Sequence, residues 1–433
     1  MNRGMKQFGP KTLQNTALIA TLLVPLGLLH AFVLAEICIA ITDILFLAQC
    51  WQTRNFAWVR QPWFIAAFIW WGWLVICTIP WPGFTTAGWL MGVAQAFVII
   101  RLFIFAAALQ SWVLTTPKAR RALWLALALS VLWIGLESWQ QYLTGSNIFG
   151  DPRWADGSLT GPFWKPRAGA VYGHVMIVAT LVPVMVLLSR PGRAWRIAGI
   201  ALAALAGITS ILIGQRMGSA FTLFSLVVAG LLLRPLRPAA GVAFGLAMLA
   251  LLATPIISPP THAKLVGETA TNMHHFSQSP YGELYTRATI MGLASPWHGW
   301  GYNGFREFCP QDQFGGGIAA LNIPPTQIGL GACNLHPHNF YVEAFVDAGF
   351  PGLALFVILN LTWLWALWRG IWRGRDTLRV ALFIGALTFI WPLASTDEFP
   401  ALYMSGWYFL MLGLGLAVPY IKPNTTELET EHA

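Results

Sequence analysis

The sequence predicts an all-α, polytopic membrane protein of about 12 transmembrane helices, and three observations predict it. The first is composition. Of 433 residues, 56% are hydrophobic and only 10% are charged, against about 25% charged in a soluble domain. So few charges cannot cover a surface in water, whereas a surface in lipid needs no such cover. The second is the recurrence of apolar segments near the length of roughly 20 residues that crosses about 30 Å of hydrocarbon. The third is the placement of Lys and Arg, which collect in the connections that alternate spans bring to one side. The 23 Trp fit the same reading, because indole rings favour the headgroup boundary.

In chain order the apolar segments are 14–31, 33–51, 62–80, 88–111, 120–138, 168–189, 196–213, 219–235, 239–257, 338–367, 378–394 and 401–420. The turn between the first two, around His30 to Leu34, is very tight, and merging them gives eleven spans instead. Residues 1–13 are polar and basic and lead into a span without a convincing cleavage site, so no cleaved signal peptide is expected. The basic residues then give a direction. They are Arg3, Lys6 and Lys11, Arg54 and Arg60, Lys118, Arg120 and Arg121, and Arg190, Arg193 and Arg196. Next come Arg234 and Arg237, Arg369, Arg373, Arg375 and Arg379, and finally Lys422. With twelve spans these 18 of 26 Lys and Arg share one side. Short basic connections stay in the cytoplasm, which places both termini there and favours an even count. The net charge of +9 is therefore no sign of nucleic-acid binding, since no finger, homeodomain or aromatic module accompanies it.

The whole chain, 1–433, reads as one integral membrane domain with two long loops on the opposite face, 139–167 and 258–337. The second is too long for a mere connector, and such loops usually carry function. Cys309 and Cys333, the two cysteines outside spans, are candidates for a disulfide closing a 25-residue loop, worth about 3 kcal/mol in an entropy model. Cys38, Cys50 and Cys77 lie in apolar helices and read as packing residues.

The densest polar group is GACNLHPHNFYVEAFVDAGFPGL, 331–353, with His336, His338, Asn339, Tyr341 and Glu343. Pro337 is favoured at a helix start, which predicts His338 in the first turn of the next span, at the outer rim. A helix N-terminus favours neutral imidazole, leaving it able to accept a proton. The competing reading is histidines on a wet helix end.

A second stretch, YTRATIMGLASPWHGWGYNGF (285–305), holds Arg287, a short helix, and a compact turn with Gly299, Gly301 and Gly304. Arg287 faces either a lipid headgroup or a phosphorylated substrate. The glycine run is too irregular for a nucleotide fingerprint. Arg216, in GQRMGSA (214–220), is basic on the outer face, against the trend. A phosphate is one partner for it; Glu283, Asp397 or Glu398 is the alternative. Arg101 sits inside an apolar run, which marks either function or an ion pair within the bundle. Arg153, Lys165 and Arg167 make the first outer loop basic, beside Trp154, Asp156 and Trp164. That surface suits a pyrophosphate and sugar, or is a solvated loop clamped by interfacial aromatics. Nine His without HExxH or a close Cys pair predict no metal. Asp397–Glu398 offers at most weak cation binding.

Three of these pieces in order, GQRMGSA, RATIMGLASPWHGWGYNGF and HNFYVEAFVDAGFPGL, resemble the O-antigen ligase and O-antigen polymerase superfamily of bacterial envelope glycan assembly. The resemblance implies a membrane glycosyltransferase (GT-C-like) architecture in the inner membrane, with a large periplasmic loop over a lipid-access cavity. It implies an undecaprenyl-pyrophosphate-linked glycan donor, no metal and no other cofactor. Arg216 and Arg287 would contact the pyrophosphate, and His338, followed by Asn339, would be the catalytic histidine. His336 has no clear counterpart. Chemistry asks for the same parts: a group that activates an acceptor hydroxyl, and cations that neutralise the departing pyrophosphate.

Within the superfamily the basic outer surface favours a ligase acting on lipid A–core, which is strongly anionic, over a polymerase that extends lipid-linked repeat units. A transporter or flippase would show inverted repeats with broken helices and a polar trail through the bundle. Neither is present in the sequence, and oligomeric state is not readable from it.

Overall fold

The computed structural model describes residues 10–80, 89–326, 333–371 and 376–419. Arg3, Lys6, Arg373, Arg375 and Lys422, expected on the basic side, lie outside the described residues. Among the described residues there is no strand, only two isolated bridges, Ser146–Pro152 and Ile318–Ile323.

The bundle begins with α1 (Pro10–His30), α2 (Phe32–Thr53), α3 (Pro62–Thr78), α4 (Trp89–Val98), α5 (Ile100–Ala108) and α6 (Pro117–Thr144). It continues with α7 (Ala168–Ser189), α8 (Arg193–Ile213), α9 (Arg216–Leu232) and α10 (Arg237–Ile257). The large loop contributes α11 (Pro259–His262), α12 (Thr269–His274), α13 (Pro280–Ala294) and α14 (Gly304–Phe308). Among the described residues there follow α15 (Phe340–Trp368), α16 (Thr377–Phe389) and α17 (Leu402–Ala417). Among the described residues eight helical stretches are long and apolar enough to cross a membrane, with α4 and α5 joined in Leu90–Val113, and four shorter apolar helices (α3, α9, α16, α17) accompany them. Each of the twelve segments expected from hydropathy falls on one of these helices. The outward faces carry bare aliphatics, such as Val33 at 74%, Leu252 at 73% and Ile256 at 87% exposure. That is the surface of a helix bundle in lipid.

The first two segments are separate helices. A Cβ built on Gly27 would lie 2.6 Å from the Ala35 backbone nitrogen. In one continuous helix those residues would stand about 12 Å apart along the axis. The chain therefore reverses at Ala31, and α1 and α2 form a hairpin.

The large loop has its own small core, Leu284, Ala288, Met291, Phe305, Cys309 and Phe314, packed on Val346 of α15. The Cys309–Cys333 disulfide is formed, and Cys38, Cys50 and Cys77 are buried. The loop also docks into a break in α15. Gly349 takes φ 66°, outside helical geometry. The groups freed there pair with the 295–301 turn: Trp300 N–H donates to Val346 O (2.8 Å), Gly301 N–H to Asp347 O (2.9 Å), and Phe350 N–H to Pro296 O (2.7 Å). A helix break near membrane depth needs such protein partners. A Cβ on Gly349 would come within 2.6 Å of Pro296 O, and one on Gly299 within 2.4 Å of Ala348 N. The two Gly-rich motifs thus form one joint.

Candidate active site

A cavity of about 1000 Å³ opens where the large loop, the 139–167 loop and several helix ends meet. It is lined by the start of α9 (Gln215, Arg216, Gly218), by Arg167 before α7, and by Lys264 and Glu268. Tyr281 and Tyr285 of α13, His338, Asn339 and Tyr341 at the start of α15, and Ser395 to Asp397 complete the polar lining. Apolar residues such as Met273, Phe276, Phe389, Leu393 and Met404 share the wall. In chain order these segments follow odd-numbered spans or precede even-numbered ones. On the twelve-span topology expected from the sequence, that is the face opposite the basic turns.

His338 precedes α15 and does not lie in its first turn, as Pro337 had suggested. Asn339 is the N-cap: its Oδ1 accepts from the Tyr341 (3.0 Å) and Val342 (3.1 Å) amides. A capping side chain outcompetes proline for the helix start. The Asn339 Nδ2 donates to Pro392 O (2.7 Å), and Tyr341 Oη donates to Ile390 O (2.6 Å). Both tie α15 to the 390–401 segment. His338 is held in the left-handed region, φ 54°, a conformation that non-glycine residues adopt mainly where surrounding structure imposes it. The Thr396 amide donates to His338 O, and His338 Nδ1 lies 2.9 Å from Thr396 O. A carbonyl only accepts, so Nδ1 carries the proton and Nε2 the lone pair. The Tyr281 ring packs edge-on against the imidazole at 5.7 Å.

His336 stands behind His338, with its Nε2 3.1 Å from His338 Nδ1 and 3.3 Å from Asp397 Oδ1. Burial, then the nearby His338 and the Arg306 cation, push the His336 pKa down to about 3, so its ring is neutral. Burial raises the Asp397 carboxyl above the usual carboxylate range.

Arg216 opens α9, where unsatisfied amides and its guanidinium make a positive corner. A close Gly169–Gly218 contact seats this corner: a Cβ on Gly218 would meet Gly169 O at 2.3 Å. The partner of Arg216 is Glu268, at 2.7 Å, and not Glu283, Asp397 or Glu398. Glu268 is 52% exposed, so the pair is open to water and weak.

Other expected residues lie elsewhere. Arg287 does not line the cavity. It is 1% exposed, and donates from Nη1 to Cys309 O (2.6 Å) and from Nε to Thr326 Oγ1 (2.9 Å). Buried in the loop core, it holds the Cys309 end of the disulfide. Glu343 is buried on another side of α15 and accepts from the Phe399 amide (3.1 Å). Arg101 pairs with Glu36 at 2.6 Å, the structural alternative for a membrane-depth arginine. Arg153 Nη1 donates to Gly157 O (2.9 Å) and Ser258 Oγ (3.0 Å), pinning the two outer loops together. Lys165 lies over the Trp164 ring at 4.4 Å, on the exposed surface. Of the first-loop cations only Arg167 faces the cavity, stacked 4.3 Å over Tyr403.

Sequence reasoning missed Lys264, which binds Asp156 and Ser158 (2.6 Å) at the cavity wall. As the only Lys in 258–337 it was visible to a charge count. It also missed Glu268, Thr396 and Asn334, which carry no local pattern. Among the described residues no three His, Cys, Asp or Glu side chains are grouped to hold a metal ion.

The fold and cavity define a class: a multi-pass α-helical membrane protein with a mostly apolar cavity that carries a cluster of polar and cationic groups. Residues 201–357, which contain all three motifs, match the O-antigen ligase family. Over these residues the chain is similar to the O-antigen ligase family, and the match supports a membrane enzyme of the ligase or polymerase type. Among curated proteins none matches the chain.

Proposed function

We propose that the chain is an O-antigen ligase, transferring glycan from an undecaprenyl-pyrophosphate-linked donor to lipid A–core at the periplasmic face of the inner membrane. The observation that carries this reading is the shared cavity, which joins an unprotonated imidazole nitrogen at His338 to the cationic start of α9 at Arg216. Its apolar wall suits a polyprenyl chain and its polar wall a diphosphate and sugars. In the proposed step an acceptor hydroxyl oxygen bonds to the anomeric carbon of the donor. The bond from that carbon to phosphate breaks, and its electron pair leaves on the lipid diphosphate. The hydroxyl proton passes to His338 Nε2. Arg216, Arg167 and the first α9 amides neutralise the leaving group. In-line attack inverts the anomeric carbon.

Deletion of the gene, with profiling of lipopolysaccharide, tests the reading. Loss of a ligase leaves bare core and lipid-linked polymer. Core carrying a single repeat would point to the polymerase instead, and an unchanged profile refutes both.

A further inference from the structure

The lone pair of His338 is occupied. With Nδ1 donating to Thr396 O, Nε2 accepts from Asn334 Nδ2–H at 2.9 Å. The orientation of that amide is set independently, because Asn334 Oδ1 accepts from the Leu335 N–H at 2.8 Å. The other groups facing the imidazole do not reach Nε2. Tyr281 meets the ring from α13, His336 lies 3.1 Å from Nδ1, and Asp397 contacts His336. Asn334 is exposed, while the residue before it, Cys333, is bonded to Cys309. The Cys309 carbonyl is in turn held by buried Arg287. One covalent tie therefore runs from the loop core to the residue that sits on the base.

We propose that Asn334 is a positioning residue, a displaceable cap on His338 Nε2 whose reach is set by the Cys309–Cys333 disulfide. The inference rests on the reading of His338 as the proton acceptor. A donor on Nε2 keeps the proton of the neutral ring on Nδ1. The incoming acceptor hydroxyl takes the place of the amide, so the lone pair passes from one donor to the next without the ring turning. Being exposed, Asn334 is free to give way. Being one residue from a disulfide, it returns to the same place.

The test reads the lone pair directly. Diethyl pyrocarbonate acylates an unprotonated, accessible imidazole nitrogen, and peptide mass spectrometry follows His338 alone. The full chain in detergent is compared as wild type, Asn334→Ala, Cys309→Ser with Cys333→Ser, and all three changes together. Acylation is expected to be roughly fivefold faster in Asn334→Ala, the factor given by losing one net hydrogen bond. Removing the disulfide should accelerate the wild type by a similar factor and add less than about twofold to Asn334→Ala, the non-additivity of a shared route. Where the cysteine variant does not fold, phosphine reduction and alkylation of the folded wild type gives the same comparison. Equal rates in wild type and Asn334→Ala overturn the cap. Full acceleration of Asn334→Ala by loss of the disulfide overturns the tie.

No substrate enters that experiment, so it stands even when the wild type transfers no glycan, a result that would sink the proposed function alone. In an active enzyme, Asn334→Asp should move the acid limb of the pH–rate profile to higher pH, since a carboxylate at Nε2 favours the imidazolium. A uniform loss of rate with the limb unmoved contradicts positioning.

Discussion

Replacing Arg287 by Ala separates two accounts of one residue. On the first, taken from sequence resemblance, Arg287 binds the donor pyrophosphate. On the second, taken from its contacts, it holds the loop together. Arg287 is 1% exposed and donates to Cys309 O at 2.6 Å and Thr326 Oγ1 at 2.9 Å. Hydrogen bonds from a charged donor are worth about 1.5–3 kcal/mol each. The truncation also strands a buried carbonyl, so the loop should lose roughly 3–5 kcal/mol of local stability. That corresponds to a rise in the open fraction of roughly 10²- to 4 × 10³-fold.

Hydrogen exchange and limited proteolysis of 280–326 measure this without substrate. Both should accelerate in Arg287→Ala, while helices far from the loop, such as α1 and α2, remain protected. Arg287→Lys keeps a charge and one donor but not the planar fork, and should fall between. Transfer activity should drop through kcat as His338 loses its surroundings. An Arg287→Ala protein with normal exchange across the loop and only a raised donor KM would refute the structural account and return Arg287 to the donor site.

The other expectations are simpler. His338→Ala should lower transfer by about 10²- to 10⁴-fold, the range for general-base catalysis, with unchanged thermal stability in detergent; a silent variant removes His338 from the chemistry. Arg216→Ala should weaken donor use, and Glu268→Gln, which frees Arg216 from its 2.7 Å partner, should strengthen it; the donor KM decides, and no change in either excludes the α9 corner as the diphosphate site. His336 has an ordinary value of 6.5 and is pushed by burial to about 3 in the fold. The unfolded chain therefore binds more protons, and stability falls as pH drops from about 6.5 toward 3, by at most about 1.4 kcal/mol per pH unit. Asp397, raised by burial, works in the opposite sense, so the comparison is with His336→Gln, whose unfolding should depend less on pH between 7 and 5; parallel slopes would refute the assignment.

The parts of this molecule that were legible in sequence share a physical cause. Each crossing of lipid leaves its own run of apolar residues, readable without knowledge of the others. Even α1 and α2 showed as two runs, though only the approach of Gly27 to Ala35 decides that the chain reverses between them. The polar motifs were legible for the same reason. A histidine pair beside an asparagine, or an arginine on the side that carries few, is anomalous where it stands. What could not be read was which anomalies face one another. Arg216 and His338 share a cavity, whereas Arg287, equally unusual in sequence, is enclosed in the loop core. Arg101 is answered by Glu36 across the bundle, a pair that no spacing within either helix reveals. The joint between the 295–301 turn and the break at Gly349 makes the point most fully. Each side looks like a local turn signal, and its purpose lies in the other. Three backbone hydrogen bonds cross that joint, and they hold the loop core, with its disulfide and Asn334, against the start of α15 where His338 stands. The placement of His338 is therefore a property of the assembled joint, and local sequence patterns identify its residues without fixing their distances.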